Sequence, residues 1–157
     1  MTRILIVDSN GAGLPALGPG FAAVLQAISR KITCSLCAPY LGQGLPEGPF
    51  DGVVFTGSGV GWCVDAPEGR ILQDIWRQVV CWKVPIWGSC NGMQLAAFML
   101  GGRCAASPHG DEDGLAKAIT LTDIGRNHPM MQGRAIQFHA PAVHRDEVER
   151  LPEGAHL

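Results

Sequence analysis

The chain has 157 residues, of which 46% are hydrophobic and 17% charged, and its formal net charge is −2. This length and composition predict a well-packed globular chain with a sizeable core and exclude a disordered one. A charge so close to zero gives no electrostatic case for nucleic acid or an anionic membrane. No basic segment precedes a long apolar one and no apolar run could span a bilayer, so we expect a cytoplasmic protein.

Short apolar runs alternate with an amphipathic stretch over the first third of the chain. Residues 4–7 predict a buried strand, and the turn cluster behind it includes Asp8, which we interpret as a helix cap or turn residue. Apolar side chains recur at helical spacing between residues 21 and 28. Residues 33–37 and 52–55 predict two further strands, separated by a loop rich in glycine and proline.

A second helix, a central strand and a third helix follow. Asp65 and Glu68 have the spacing of a capping box, so a helix is predicted to begin there. Residues 84–87 predict a buried strand, and residues 93–100 an apolar helix that ends at two glycines. This alternation predicts an α/β fold with a doubly wound, mostly parallel sheet in three layers, flavodoxin-like or Rossmann-like.

The last third of the chain is more polar and its apolar runs are shorter. Residues 103–105, 118–122 and 135–138 are candidate strands. The acids at 111–113 lie in a polar, glycine-flanked loop; we interpret them as solvated and predict neither a metal site nor a cofactor. Because no repeat or linker interrupts the chain, residues 1–157 are predicted to form a single domain.

The most informative stretch is the turn after the strand at 84–87. Gly88, Cys90 and Gly92 have the Gly-x-Cys-x-Gly spacing of a nucleophile elbow in which cysteine replaces serine. Glycines flank the nucleophile because the strained turn leaves no room for Cβ atoms. The helix N-terminus behind the turn carries a partial positive charge that favours thiolate. A buried structural cysteine is the alternative, and the two glycines favour the nucleophile.

Two other stretches carry residue types that are common in anion-binding, redox or metal-binding sites. Residues 56–61 contain three glycines at alternate positions, which we interpret as a backbone nest for an anion or a developing oxyanion; a plain flexible loop is the alternative. Cys34 and Cys37 form a lone CxxC pair with no second pair of ligands at zinc spacing, so core packing is preferred. Six cysteines in a core-rich chain without an export signal do not indicate a disulfide framework.

Five pieces of the sequence, in order, resemble the class I, triad-type glutamine amidotransferases. They are similar to the family's glycine-rich oxyanion loop, its P-x-x-G-x-C-x-G-x-Q-L nucleophile segment, its A-L-G-G, its G-x-E-x-G loop and its H-x-D-x-V-x-x-L-P-x-G-A. The pieces are residues 55–59 (FTGSG), 85–95 (PIWGSCNGMQL), 100–103 (LGGR), 110–114 (GDEDG) and 144–155 (HRDEVERLPEGA). The cysteine segment is the most specific, and five ordered matches argue against chance.

The resemblance implies hydrolysis of the glutamine side-chain amide with release of ammonia. By that resemblance Cys90 attacks the amide carbon and leaves a γ-glutamyl thioester. The backbone N–H groups of Gly57 and Asn91 would hold the oxyanion. Gly59 and Gln94 match positions that hold the glutamine.

One part of the family pattern is missing, namely the general base. In the family a His followed by Pro-Glu lies downstream of the H-x-D-x-V piece, and the 157 residues contain no such match. His139 resembles the start of that motif but is followed by Ala-Pro and precedes the H-x-D-x-V piece, so we interpret it as a loop or strand-end histidine. We therefore expect a C-terminally incomplete domain that lacks its catalytic segment and turns over poorly. Truncation is the preferred explanation, and a naturally inactive version is the second.

Two other functions stay open at this point. One is another Cys-elbow hydrolase, such as a γ-glutamyl hydrolase or a DJ-1/PfpI-like protein, although the latter typically has His directly after the cysteine, where Asn91 stands here. The other is a catalytically dead domain that binds glutamine or a partner. The expected partners are glutamine and a synthetase subunit or domain that receives ammonia. The acceptor of the ammonia and any homo-oligomer are not determined by the sequence.

Overall fold

A parallel sheet of four short strands forms the centre of the structure. The computed structural model describes residues 1–11 and 13–157. In chain order, its strands and α-helices are β1 (Thr2–Val7), α1 (Gly18–Ile28), β2 (Ile32–Cys37), β3 (Gly52–Phe55), α2 (Arg70–Val79), β4 (Ile86–Gly88), α3 (Asn91–Met99), β5 (Arg103–Ala106), β6 (Glu112–Thr120), α4 (Asp123–Asn127), β7 (Gln137–His144) and β8 (Asp146–Arg150). None of the helices in this described part is long and apolar enough to cross a membrane.

The central sheet has the strand order β2–β1–β3–β4, and all of its strand pairs are parallel. Val7 lies opposite Phe55, and Phe55 lies opposite Gly88, so the carboxyl ends of β1, β3 and β4 are aligned. The strand order reverses between β1 and β3, and ligands bind outside the carboxyl ends of the strands at such a point. The predicted α/β fold with a mostly parallel sheet is confirmed.

The two faces of this sheet pack against different helices. Leu5, Val53 and Phe55 point to one side and belong to the buried cluster that α2 and α3 share. The Phe55 ring centroid lies 5.5 Å from that of Trp76 on α2. On the other side, Ile4 lies beside α1. Helices on both faces give the predicted three layers, because strands of a parallel sheet are apolar on both sides.

Asp8 caps the first helix from outside it. Its Oδ2 atom accepts hydrogen bonds from the amides of Leu17 and Gly18, both at 2.7 Å. These are two of the amides that a helix N-terminus leaves without a partner. The interpretation of Asp8 as a helix cap is confirmed.

The start of α2 differs from the prediction. Asp65 and Glu68 form no capping box: a 3-10 turn over Pro67–Gly69 comes first, and it has no side-chain cap hydrogen bond. The Gly69 amide donates to the Ala66 carbonyl at 2.9 Å, so the backbone itself closes the turn that side chains were expected to cap.

Two antiparallel strand pairs, β5–β8 and β6–β7, follow the central sheet. Strand β5 agrees with its prediction, but β6 begins at Glu112, within the stretch interpreted as a solvated loop. Strand β7 covers Gln137–His144 and not 135–138. The differences arise because β6 and β7 form by pairing with each other, with Glu112 opposite His144, and most of β6 is exposed, so its sequence lacks the apolar run that predicts a strand.

Candidate active site

Cys90 lies in the turn between β4 and α3, at the carboxyl end of the central sheet. Its backbone has φ 47° and ψ −108°, a combination that a non-glycine residue adopts under strain. The preceding residue, Ser89, donates its amide to the Phe55 carbonyl at 3.0 Å, which ties the turn to β3. The thiol therefore stands at the N-terminus of a helix, on a backbone held in place by the neighbouring strand.

The glycines on either side of this turn are required by close contacts. A Cβ atom built on Gly88 would lie 2.4 Å from the carbonyl carbon of Gly92. One built on Gly92 would lie 2.6 Å from the Phe55 carbonyl oxygen. Any larger residue at either position would push helix α3 away from the strands, which is the crowding that the Gly-x-Cys-x-Gly spacing predicts.

The glycine-rich stretch after β3 runs beside Cys90. A Cβ atom on Gly57 would lie 3.4 Å from the Cβ atom of Cys90, and the Gly92 amide donates to the Thr56 carbonyl at 3.2 Å. In the described part of the chain, the amides of Gly57 and Asn91 donate to no other protein group. The two segments that adjoin Cys90, which are expected to hold an oxyanion, thus each carry a backbone N–H group without a partner among the described residues.

Asn10 holds the glycine loop, which we define as residues 57–61, against the end of β1. Its buried side-chain oxygen accepts the Gly59 amide at 2.9 Å, and its side-chain nitrogen donates to the Pro15 carbonyl at 2.6 Å. Ser58 adds a hydrogen bond from its hydroxyl to the Ser9 carbonyl at 2.7 Å. The sequence predicts that the loop at residues 8–13 borders the site, because ligands bind at the carboxyl ends of strands in a doubly wound sheet, but it assigns Asn10 itself no role.

Gln94 and Asp146 join helix α3 to the start of β8. The Gln94 side-chain nitrogen donates to the Asp146 backbone carbonyl at 2.6 Å, and both residues are buried. The Asp146 carboxylate is bound by the Arg145 guanidinium through two hydrogen bonds of 2.8 and 2.7 Å. These bonds hold the pKa of the Asp146 carboxyl below its usual value against the opposing effect of burial. The side-chain nitrogen of Gln94 is therefore already hydrogen-bonded within the protein.

His144 pairs with an acid on the facing strand. Its Nε2 atom lies 2.8 Å from Oε2 of Glu112, while its Nδ1 atom is buried and has no partner among the described residues. His139 lies inside β7, not in a loop or at a strand end, and its Nδ1 atom accepts the Ala118 amide at 3.0 Å. His139 lines neither cavity at Cys90 that the described residues form.

Two cavities meet at Cys90. The first, which we call the loop cavity, encloses about 370 Å³ and is lined by residues 58–61 of the glycine loop, by the acids at 111–113 and by Arg145; Gly57 does not line it. The second, which we call the Met93 cavity, encloses about 340 Å³ between α3 and residues 141–148. Of the predicted site residues, Cys90, Asn91, Gly59 and Gln94 line the loop cavity. Within residues 1–11 and 13–157, no cluster of His, Cys, Asp or Glu could hold a metal ion.

Three of the other cysteines, Cys37, Cys63 and Cys104, are more buried in the fold than an exposed thiol would be, and their thiols differ accordingly. Cys37 is buried and its thiol donates to the Gln43 and Gly44 carbonyls, in keeping with core packing. Burial raises the pKa of Cys63 and of Cys104 to about 11 in each case. All six cysteines are free.

Comparison with known proteins places this chain in a family. The chain is 36% identical over 115 residues to a gamma-glutamyl-L-1-hydroxyisopropylamide hydrolase from a Pseudomonas species, a match that covers 71% of the chain and 39% of that protein. It is 30% identical over 156 residues to a subunit of the glutamine-hydrolyzing GMP synthase from Halobacterium salinarum, covering 98% of the chain and 73% of that subunit. No family profile matches the chain.

The fold of the chain also resembles that of solved glutamine amidotransferases. A glutamine amidotransferase from Thermotoga maritima superposes with a TM-score of 0.76 at 17% identity, over 97% of the chain and 64% of that protein. Fold and relatives together define a glutamine amidotransferase domain. The chain belongs to the class I glutamine amidotransferases, and most of its sequence relatives are GMP synthase subunits. It spans well under half of the Pseudomonas hydrolase and about two thirds of the Thermotoga protein.

Proposed function

We propose that Cys90 is the nucleophile of a site that cleaves the side-chain amide of glutamine or of a related γ-glutamyl amide. The observation that carries the proposal is the strained backbone of Cys90, with φ 47°, where the thiol borders a cavity at the carboxyl end of the sheet. Strain of this kind persists where function requires it. In the proposed reaction the sulfur attacks the amide carbon, and the amide nitrogen leaves as ammonia or an amine.

The free amides of Gly57 and Asn91 are proposed as the oxyanion donors. They lie on two segments that meet at Cys90, so they can face the oxygen of a tetrahedral intermediate together. A donor of this kind contributes about 3 kcal/mol to transition-state stabilisation. Because both donors are backbone groups, their positions depend on the glycine loop and on the start of α3.

The loop cavity is proposed to hold the amino-acid end of the substrate. Gly59 and Gln94 line it, as do the acids at 111–113 and the guanidinium of Arg145. The carboxylates suit an α-ammonium group, and the Arg145 guanidinium, which also binds Asp146 and Gly61, supplies the positive charge that suits an α-carboxylate. A substrate that carries both charges on one carbon matches this mixture of groups.

Proton transfer is proposed to be the weak step of these 157 residues. None of the five histidines is followed two residues later by Glu, and His139 lines neither cavity at Cys90 that the described residues form. The departing nitrogen needs a proton, and the thioester needs a base that activates water. We therefore expect acylation of Cys90 by reactive substrate analogues but slow release of ammonia from glutamine.

The relatives suggest two fates for the products. Likeness to the glutamine-hydrolyzing subunits of GMP synthase supports a partner synthetase that receives ammonia. Likeness to the Pseudomonas hydrolase, whose name specifies a substituted γ-glutamyl amide, supports simple hydrolysis. Both fates use the same attack by Cys90, so the first experiment concerns that residue.

The test is labelling with a diazo-ketone analogue of glutamine, followed by mass spectrometry of the cysteine-containing peptides. We expect selective labelling of Cys90 that excess glutamine suppresses and that Cys90→Ala abolishes. Cys81, an exposed cysteine on the surface, is the internal control for accessibility alone. Labelling that follows exposure, with Cys81 modified at least as fast as Cys90, would overturn the proposal.

A further inference from the structure

His144, at the end of β7, and Glu112, at the start of β6, form a histidine–carboxylate pair. The two residues lie opposite each other in the strand pairing, and Nε2 of His144 is 2.8 Å from Oε2 of Glu112. A carboxylate at this distance favours a hydrogen atom on Nε2 and fixes the orientation of the ring. Nδ1 is then the ring nitrogen that is left to exchange a proton with another group.

The Nδ1 atom of His144 is buried and has no partner among the described residues. A polar atom in that position costs free energy unless some other group pairs with it. In the described part of the chain, His144 is the only histidine that lines either cavity at Cys90, and it lines both. A ligand bound in these cavities can therefore supply the group that Nδ1 lacks.

Cys90 lines the same two cavities and lies next to the strand that carries His144. Its thiol is 3.7 Å from the backbone carbonyl of Val143, the residue before His144. Among the described residues Nδ1 makes no hydrogen bond to this thiol, so a ligand that touches both residues is the path along which a proton can move. Asp146 also lines both cavities, but Arg145 lowers the pKa of its carboxyl, and a carboxylate held ionised is a poor proton donor.

We propose that His144, oriented by Glu112, gives a proton to the leaving nitrogen of the substrate. The inference rests on the proposed function, because it names the residue that performs the slow proton transfer of the same reaction. In acylation the thiolate sulfur of Cys90 bonds to the amide carbon, and the carbon–nitrogen bond breaks. The nitrogen takes the bonding electron pair and the proton of Nδ1, and it leaves as ammonia or an amine. In deacylation water gives a proton back to Nδ1 while its oxygen bonds to the carbonyl carbon, and glutamate and the thiolate are released.

The test compares two analogues of glutamine that alkylate the same thiol but differ in their need for a proton. The diazo-ketone carries its diazo carbon where glutamine has the amide nitrogen. This carbon must be protonated before the sulfur can bond to it and nitrogen gas can leave. The corresponding chloro-ketone loses chloride when the sulfur attacks and needs no proton. The maximal labelling rate of Cys90 at saturating concentration is measured for each reagent, so that changes in reagent binding do not enter.

Substitutions of the histidine–carboxylate pair should slow one reagent and not the other. In His144→Gln and in His144→Ala we expect the diazo-ketone rate to fall by about 100-fold and the chloro-ketone rate to stay within about threefold. Free imidazole should restore diazo-ketone labelling of His144→Ala, because it supplies a proton donor to the space that the ring leaves. Glu112→Gln keeps the size of the side chain but removes the charge that orients the ring, so it should lower only the diazo-ketone rate, by about tenfold.

His139→Ala is the matched control. His139 lies on the same strand as His144, but it lines neither cavity at Cys90 that the described residues form. Its removal should leave both maximal rates within about threefold, because proton transfer at the site does not involve it.

The outcomes separate this inference from the function on which it rests. If both reagents slow together in the His144 variants, the pair only holds the shape of the site, and the proton transfer is refuted. Unchanged rates with both reagents refute it as well, while selective labelling of Cys90 still supports the nucleophile. If neither reagent labels Cys90 selectively in the unsubstituted chain, the proposed function itself is contradicted.

Discussion

The guanidinium of Arg145 donates a 2.5 Å hydrogen bond to the backbone carbonyl of Gly61, which joins the start of the last strand to the glycine loop. The same guanidinium binds the Asp146 carboxylate, and the Asp146 carbonyl in turn accepts the side chain of Gln94 on α3. One continuous series of hydrogen bonds thus links the glycine loop, strand β8 and helix α3, which begins directly after Cys90. The position of the glycine loop depends on residues far from it in sequence.

Arg145→Ala should loosen the glycine loop and slow the reaction of Cys90. The loop carries Gly57 and Gly59, and it loses a charge-assisted hydrogen bond when the guanidinium is removed. We expect the labelling rate with the diazo-ketone analogue to fall by about tenfold, because misplacement of the oxyanion donors weakens transition-state binding. Arg77→Ala removes an exposed arginine that pairs with Asp74 on the surface of α2, and it is the control. An unchanged labelling rate in Arg145→Ala would show that the loop keeps its position without this contact.

Acidification should remove the stabilisation that the Asp146 carboxylate provides. Arg145 holds the pKa of this carboxyl below its ordinary value of 3.8, so the folded state binds the proton less readily than the unfolded state. The stabilisation is therefore present above the ordinary value and is lost as the pH falls through the folded-state value. We expect the difference in free energy of unfolding between the unsubstituted chain and Asp146→Asn to shrink as the pH is lowered from 7 to about 3. A difference in urea unfolding that stays constant with pH would contradict this.

Gly92→Ala should destabilise the fold at the nucleophile turn. The new Cβ atom would lie 2.6 Å from the Phe55 carbonyl oxygen, a backbone atom that cannot move aside easily. We expect a loss of about 1–3 kcal/mol or more in unfolding free energy, as for overpacked interiors. Gly20→Ala is the matched control, because its Cβ atom meets nothing within 4 Å and it lies in helix α1. That control should be neutral or slightly stabilising. Equal stabilities of the two variants would refute the steric reading of the elbow.

Asn10→Ala should affect both stability and labelling. The substitution removes the side-chain partner of the Gly59 amide and of the Pro15 carbonyl, two hydrogen bonds that are partly buried. The expected loss is about 1–3 kcal/mol in unfolding free energy, together with slower labelling of Cys90. Asn10→Asp keeps the acceptor for Gly59 but places a carboxylate against the Pro15 carbonyl. It should therefore preserve the labelling rate better than the stability. If Asn10→Ala and Asn10→Asp lose stability and labelling rate to the same degree, Asn10 has no separate role in holding the glycine loop.

Alkylation should separate the cysteines by their thiolate content. Burial, and then nearby acids, raise the pKa of Cys104 to about 11, and burial is also the main cause of the same value for Cys63. Because the thiolate is the reactive form, the raised pKa and burial of these two thiols should make both react at least about tenfold more slowly than exposed Cys81 at pH 8. Iodoacetamide modification followed by mass spectrometry measures the rates. Fast modification of Cys63 or Cys104 in the folded chain would mean that local opening exposes them.

Much of the central sheet and the elbow could be predicted because their signals are local. The run at residues 4–7, the glycines at 88 and 92 and the cysteine between them each report the conformation of the few residues around them. The capping box at Asp65 and Glu68 was wrong for the same reason: its spacing is suggestive, but the Pro67 turn closes through backbone bonds that the sequence does not display. Strand β6 was misplaced because its partner strand, and not its own pattern, defines it.

The sequence by itself determined that this chain has an α/β core and a glycine-flanked cysteine after a buried strand, because turn stereochemistry and apolar periodicity act over a few residues. Five ordered motifs carried the resemblance to the amidotransferases. Only the tertiary structure decided which distant groups surround that cysteine. Arg145 on Gly61, Asn10 on Gly59, Glu112 on His144 and the Met93 cavity all depend on how separate strands and loops are brought together. Such contacts follow from the packing of the whole domain, and no local spacing encodes them.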